Sequence, residues 1–387
     1  MKHLLWLTGG LLLSLISHAQ IQTPDQKDSL AQYFTPVSLQ NPDSAWHVLK
    51  PAIKGKKLFL FGEVHGVACN LKLQLSLFKY LYKYANVRHL ILETSPSEAY
   101  LCNWYYLRIK DKDLATKYFQ AKTKEVKEFW QNIRQFNDGL PNQEKIKIFG
   151  VDYFNKDTFL EALSVMFWDR DTTKKLPKEL KIVDKQLEKT NDTGKGYKKL
   201  YEIIIKSFKK YPYLYKSFLD DDFLFFEQIM SNKLYKWSDK KRDKKMQENI
   251  VRIYKNFNKG NFFGFFGQSH VLKNSAKKNM VHYLHNDFKK IWVVNGHYNN
   301  CYSYYLLDND TILLKNQGAL EGISQSTKQT LTSYTSGNVT LIKPHKYIIK
   351  SKRMREKGDY ILYIKDQKAE QLLKKVKTKG GIQNNKD

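Results

Sequence analysis

The segment Lys57-Leu58-Phe59-Leu60-Phe61-Gly62-Glu63-Val64-His65-Gly66 joins an apolar run to a short polar end bounded by glycines. A continuous apolar run of this length fits a strand buried on both faces, as in a parallel sheet. The same design recurs along the chain. Val87-Arg88-His89-Leu90-Ile91-Leu92, Ile146-Lys147-Ile148-Phe149, Phe262-Phe263-Gly264-Phe265-Phe266 and Ile291-Trp292-Val293-Val294 are further runs, with amphipathic stretches between them. Strands alternating with helices predict an α/β fold, a largely parallel sheet flanked by helices.

The helix signals agree with that pattern. Leu71, Leu75, Phe78 and Tyr82 recur at helical spacing. Ser95-Pro96-Ser97-Glu98 reads as a capping box with Pro at the first helical position, opening a helix through Tyr105. A third helix is expected over Asp157 to Trp168. Residues 172–258 carry no strand signal, and Tyr201, Ile204, Ile205 and Phe208 follow a helical period. They predict a helical insertion before the fourth core strand, broken near Asn191-Asp192-Thr193-Gly194 and Tyr211-Pro212. A β-rich segment comes after Tyr302 and includes Thr311 to Leu314 and Asp359 to Tyr363.

The residues just past each strand carry the chemistry. The first run ends in Glu63 and His65, the second in Glu93, the third in Asp152, the fourth in His270 and the fifth in Asn295-Gly296-His297. Parallel strands put their carboxyl ends along one rim, where open α/β sheets place their ligand crevice. Glutamates, an aspartate and imidazoles on one rim suit general acid–base catalysis or a mixed metal site. Each residue also has a plainer role available. His297 could be a loop or structural histidine, His89 lies inside a run, and Asp152 could cap the following helix or pair with a lysine. The glycines around Glu63 and His65 let the backbone approach a ligand closely, which favours a functional role there.

A second constellation lies after Ser238. Arg242, Met246, Asn249, Ile250 and Ile253 share one face of a Lys-studded helix. An Arg and an Asn on an apolar face must be buried and paired. Glu93 or Asp152 is the expected partner of Arg242, which could also hold a substrate anion.

Charge points in a weaker direction. The net charge is +28, yet only 8 of the 66 basic residues are arginine, the side chain best shaped for bases and phosphates. The lysines are scattered along helices, so no nucleic-acid partner is expected. Cys69, Cys102 and Cys301 are too few for a disulfide framework. Lys2 and His3 precede an apolar run, Leu4 to Ile16, and a Ser17-His18-Ala19 cleavage box. The run is too short to span a bilayer, so export without stable membrane insertion is expected, to the periplasm or beyond. The domain reading is a signal peptide over 1–19, a loosely ordered lead-in over 20–43, one α/β domain over 44–373 and a disordered basic tail over 374–387.

Gly62-Glu63-x-His65-Gly66, Glu93, Arg242-Asp243-x-x-Met246-x-x-Asn249 and Gly267-x-x-His270 occur in that order. Together they resemble the superfamily joining erythromycin esterases, ChaN-like haem-uptake proteins and Tiki metalloproteases. The single residue between Glu63 and His65 looks more like the ChaN and Tiki branches, and the Arg-Asp-x-x-Met helix more like the esterases. The resemblance implies a hydrolase acting on an ester, lactone or amide, with a small-molecule substrate and no obligatory cofactor. Taken with the strand-end reading, Glu63, His65, Glu93 and His270 are the expected catalytic residues, and Asp152, Arg242, Asn249 and His297 the expected substrate-binding ones. The Tiki branch implies instead a divalent metal held by Glu63, His65, Glu93 and His270, and the ChaN branch a haem. A monomer is expected.

Overall fold

The computed structural model describes residues 34–38, 42–109, 123–169, 174–193, 195–232, 241–257, 260–273, 275, 278–299, 301–308, 311–317, 339–343, 358–365, 367 and 377–378. All five anticipated runs are strands. They are β2 (Leu58–Glu63), β3 (Val87–Leu92), β4 (Lys147–Gly150), β5 (Asn261–Gly267) and β6 (Ile291–Asn299). A sixth, β10 (Tyr360–Lys365), joins them in an all-parallel sheet of order β10-β6-β2-β5-β3-β4. Two short strands, β1 (Phe34–Pro36) and β9 (Val339–Ile342), extend the β10 edge in antiparallel fashion. A smaller sheet holds β7 (Cys301–Asp308), β8 (Thr311–Gln317) and β11 (Lys377–Thr378).

The apolar runs dictate this burial. Leu58, Phe59, Leu60 and Phe61 are inaccessible to solvent, so β2 is covered on both faces. Helix α1 (Cys69–Ala85) lies on one face, where Phe78 stacks on Phe263 with ring centroids 6.4 Å apart. Helix α2 (Pro96–Leu101) opens as the capping box requires: the Ser95 side chain accepts the Glu98 backbone N–H. Helices α3 (Lys124–Asp138) and α4 (Lys156–Ser164) come next, with Phe129 of α3 packing edge-on against Phe265.

The insertion is helical, as its period implies. It contains α5 (Lys181–Thr193), α6 (Tyr197–Lys210), α7 (Pro212–Leu219), α8 (Phe223–Ser231) and α9 (Arg242–Asn256); α6 gives way to α7 at Tyr211, and the expected break at Asn191 to Gly194 falls partly outside the described residues. Phe225 of α8 stacks on Phe149, and Tyr254 of α9 meets Phe262, so these helices cover the face opposite α1. Helix α10 (Met280–Asp287) packs beside α9 and leads into β6.

Several expectations need correction. The stripe Leu71, Leu75, Phe78 and Tyr82 is largely half-buried, and the deeper face of α1 is Asn70, Leu73, Gln74, Leu77 and Leu81. The lead-in contributes β1, and Lys377-Thr378 of the basic tail pair with Thr311-Ile312. β6 runs on to Asn299, so His297 pairs with Tyr363 inside the sheet rather than standing in a loop. Residues 1–19 and most of the tail lie outside the described residues. The three cysteines are buried and none forms a disulfide. Among the described residues no helix is long and apolar enough to cross a membrane.

Candidate functional site

Registry places the polar ends side by side. Glu63, the last residue of β2, lies opposite Gly267, the last of β5. Leu92 of β3 lies opposite Phe265 of β5 and Gly150 of β4, so Glu93 and Asp152 emerge on the same rim. β5 enters the sheet between β2 and β3, so the crevice sits where consecutive strands are not neighbours.

After Glu63 the chain turns away, and Gly66 supplies the left-handed φ of 80° that the turn needs. His65 Nδ1–H donates to Glu63 Oε1 at 2.8 Å. The other oxygen of Glu63 accepts from Gln74 Nε2 at 2.5 Å. The remaining ring nitrogen, His65 Nε2, lies 3.7 Å from Glu93 Oε2, and the side chain is 55% exposed. An imidazole with one nitrogen fixed and the other presented at a rim is placed to exchange a proton with a bound molecule.

Arg242 binds the two remaining carboxylates. Its Nε and Nη2 donate to Asp152 at 2.8 and 2.5 Å, and Nη2 also reaches Glu93 Oε1 at 2.7 Å. Such a two-pronged pair is the strongest contact a guanidinium makes with a carboxylate. The Gly267 N–H donates to Glu93 Oε2 at 2.7 Å. His270 stands in a short helical turn, Gln268–Val271, after β5. Its Nδ1–H donates to Asp243 Oδ1 at 2.6 Å, while Nε2 lies 3.3 Å from both Glu93 Oε1 and Arg242 Nη1. Two carboxylate–imidazole pairs, Glu63–His65 and Asp243–His270, thus converge on Glu93.

The electrostatics arise from this crowding. Partial desolvation by the surrounding protein works against the charged form of the half-exposed His65, but the Glu63 hydrogen bond and the Glu63 and Glu93 charges outweigh it and raise the pKa to about 9. His270 behaves alike: burial opposes charge, and Asp243 and Glu93 carry it to about 9. Burial also opposes the Glu93 anion, yet His270, His65 and Arg242 lower it to about 2. Folding therefore gains from the protonated imidazoles below pH 6.5, a gain lost as pH rises through about 9. The Glu93 contribution is present above pH 4.5 and is lost as pH falls through about 2.

Gly267 is required by proximity. A Cβ there would lie 3.0 Å from His65 Nε2 and 3.6 Å from Glu93 Oε2. The exposed imidazole can yield by swinging outward. Gly267→Ala is expected to cost about 100-fold in turnover, the scale of a misplaced reacting group. Its unfolding midpoint should stay near the parent's, and a large drop in midpoint would show that Gly267 serves the fold instead.

The structure brings together Glu63, His65, Glu93, Asp152, Arg242 and His270. The other two expected residues have different settings. Asn249 is buried and donates to the Val151 carbonyl at 2.8 Å, while Gln228 and Asn232 bind the carbonyls of Gly150 and Asp152. Asn249 therefore holds the β4 end in place instead of lining the crevice. His297 sits within β6 beside β10. Gln74 joins the site without a sequence motif that marks it, and Asp243, which stands in the Arg-Asp-x-x-Met run but carries no expected role, joins it through His270. Gln74 and Asn70 lie four residues apart on the leucine face of α1, the same kind of signal that marks Arg242 and Asn249. His89, as its place in a run suggests, is buried among Phe149, Phe257 and Phe262.

A metal does not fit this arrangement. Both Glu93 oxygens are already bonded, and the Arg242 guanidinium lies where a cation would be drawn. Among the described residues no group of three or more His, Cys, Asp or Glu is spaced to hold a metal ion.

No protein-family model matches the chain, and no curated protein matches it by sequence. Solved structures do share the fold. A Bacillus cereus protein is 16% identical, covering 90% of this chain and 98% of its own, with a TM-score of 0.63. A succinoglycan biosynthesis protein is 14% identical, covering 89% and 97%, with a TM-score of 0.64. A mutant of the erythromycin esterase EreC in its open conformation is 13% identical, covering 88% and 99%, with a TM-score of 0.57. The fold is thus the one expected of the erythromycin esterase resemblance. A haem-binding ChaN of Campylobacter jejuni aligns with a TM-score of only 0.35, too distant a likeness to support a haem site here.

Proposed function

We propose that the chain is an exported hydrolase that adds water to an ester, lactone or amide carbonyl, with His65 as general base. The observation that carries this reading is the exposed His65 ring, fixed through Nδ1 to Glu63 and open at Nε2. Water bound at Nε2 attacks the carbonyl carbon and gives its proton to that nitrogen. The Glu63 carboxylate stabilises the imidazolium that forms and keeps the ring in the right tautomer, as an aspartate does in a serine triad. His270 Nε2–H and Arg242 Nη1 face the same crevice and stabilise the developing oxyanion. When the tetrahedral intermediate collapses, Nε2–H returns the proton to the departing oxygen or nitrogen. Glu93, held as an anion by three donors, orients Arg242 and His270 and takes no proton itself. The chain has no Gly-x-Ser-x-Gly elbow to supply a serine nucleophile.

The same geometry sets the pH dependence. A base must be neutral, and His65 is protonated below about pH 9. The oxyanion donor His270 must stay charged, and it loses its proton in the same range. The two rings repel each other, so the apparent values belong to the pair. On aryl esters and lactones, kcat/KM is expected to rise about tenfold per pH unit from neutrality, peak near pH 9 and fall above it. A flat profile between pH 6 and pH 8 would remove His65 as the base. No turnover of any ester, lactone or amide by the parent would remove the hydrolase reading altogether.

A further inference from the structure

The buried amides of α1 and the distant hydroxyl of β6 meet the loop that carries His65 from below. Asn70 and Gln74 are one helical turn apart and both are 0% exposed. Gln74 Nε2 donates to Glu63 Oε2 at 2.5 Å, opposite the oxygen that accepts from His65. Asn70 Nδ2 donates to the Val64 carbonyl at 2.6 Å, and the Val64 N–H donates to the Tyr298 hydroxyl at 3.2 Å. The Tyr298 hydroxyl in turn donates to Asn70 Oδ1 at 2.9 Å, which closes the ring of bonds. The two peptide groups on either side of Val64, the single residue between Glu63 and His65, are therefore both held.

We infer that Gln74, with Asn70 and Tyr298, is a positioning device that sets the Glu63–His65 pair at the rim. This deepens the hydrolase reading, on which its catalytic consequence rests. A merely structural role does not account for Gln74. Among the described residues its Oε1 is buried with no hydrogen-bond partner, so the side chain keeps an orphan acceptor inside while only its donor end is used. Buried polar atoms are rarely left so unless another demand is met. An apolar side chain of the same length would fill the space without that cost. Only the amide donor fixes the rotation of the Glu63 carboxylate, and hence which oxygen faces Nδ1.

The device acts on the imidazole through Glu63, so it can be read without turnover. Histidine NMR titration of the full chain gives the His65 pKa in the parent, in Gln74→Met and in Tyr298→Phe. Methionine keeps the length and loses the donor. With the carboxylate free to turn, the His65 pKa should fall from about 9 toward 6.5, while the His270 titration stays in place. On whichever ester or lactone the parent turns over, kcat should fall about 10–100-fold, as on losing a partner that orients a working imidazole, with KM nearly unchanged. Tyr298→Phe frees the Val64 peptide and should give the same change in smaller measure. It keeps the question open to test should Gln74→Met fail to fold. An unshifted His65 titration in a folded variant overturns the inference, whatever the activity. A shifted titration in a protein that hydrolyses nothing upholds the positioning device and rejects the hydrolase reading.

Discussion

His65→Ala is expected to lower turnover about 10²–10⁴-fold, the usual cost of losing a positioned general base. The fold should survive intact. The side chain is more than half exposed, it fills no cavity, and its one short bond is to Glu63, itself held by Gln74. What disappears is the acceptor for the proton of the attacking water. Removing the imidazole also leaves Glu63 bonded to Gln74 alone at the rim. Thermal unfolding and initial rates on the same preparation check both halves of the expectation. A variant that unfolds as readily as a core truncation would make His65 a structural histidine.

Arg242→Ala is expected to behave in the opposite way. Asp152 is 1% exposed and Glu93 13%, and both face the guanidinium. Truncation leaves Asp152 buried without its counter-charge and Glu93 with only His270, His65 and the Gly267 N–H, and breaking such a buried pair costs about 3–5 kcal/mol. The β4 end, held from behind by Gln228, Asn232 and Asn249, cannot move Asp152 out to solvent without breaking three amide contacts. Denaturant unfolding should therefore show a clear loss of stability, and activity should fall with it. Arg242→Lys keeps the charge but not the two-pronged geometry, and should recover stability only in part. If Arg242→Ala were as stable as the parent, the carboxylates would not depend on this ion pair.

These two residues also show what the sequence makes legible. Glu63, Glu93, Asp152 and His270 are readable because each stands just past an apolar run, and parallel strands deliver such ends to one rim. Arg242 is readable as a charge on the apolar face of a helix. Gln74 obeys the same rule, but the leucines around it dominate that face of α1 and mask the amides among them. Asp243 comes one residue after Arg242 and points elsewhere, toward His270, a direction that no spacing reveals. His297 reads as a loop, structural or substrate-binding histidine because it stands after the apolar run that ends at Val294. Pairing with β10, distant in the chain, keeps it extended. The insertion of β5 between β2 and β3 is equally hidden, since an apolar run does not name its neighbours.

Water, activated by His65, is the direct nucleophile in the proposed reaction, and every other role assigned at the rim depends on it. Turnover of an ester in ¹⁸O-labelled water, quenched and read by intact mass of both enzyme and products, tests this most directly. The expected result is label in the acid product and an enzyme whose mass never departs from that of the free chain. An acyl adduct on the enzyme, or label in the alcohol instead of the acid, would contradict it.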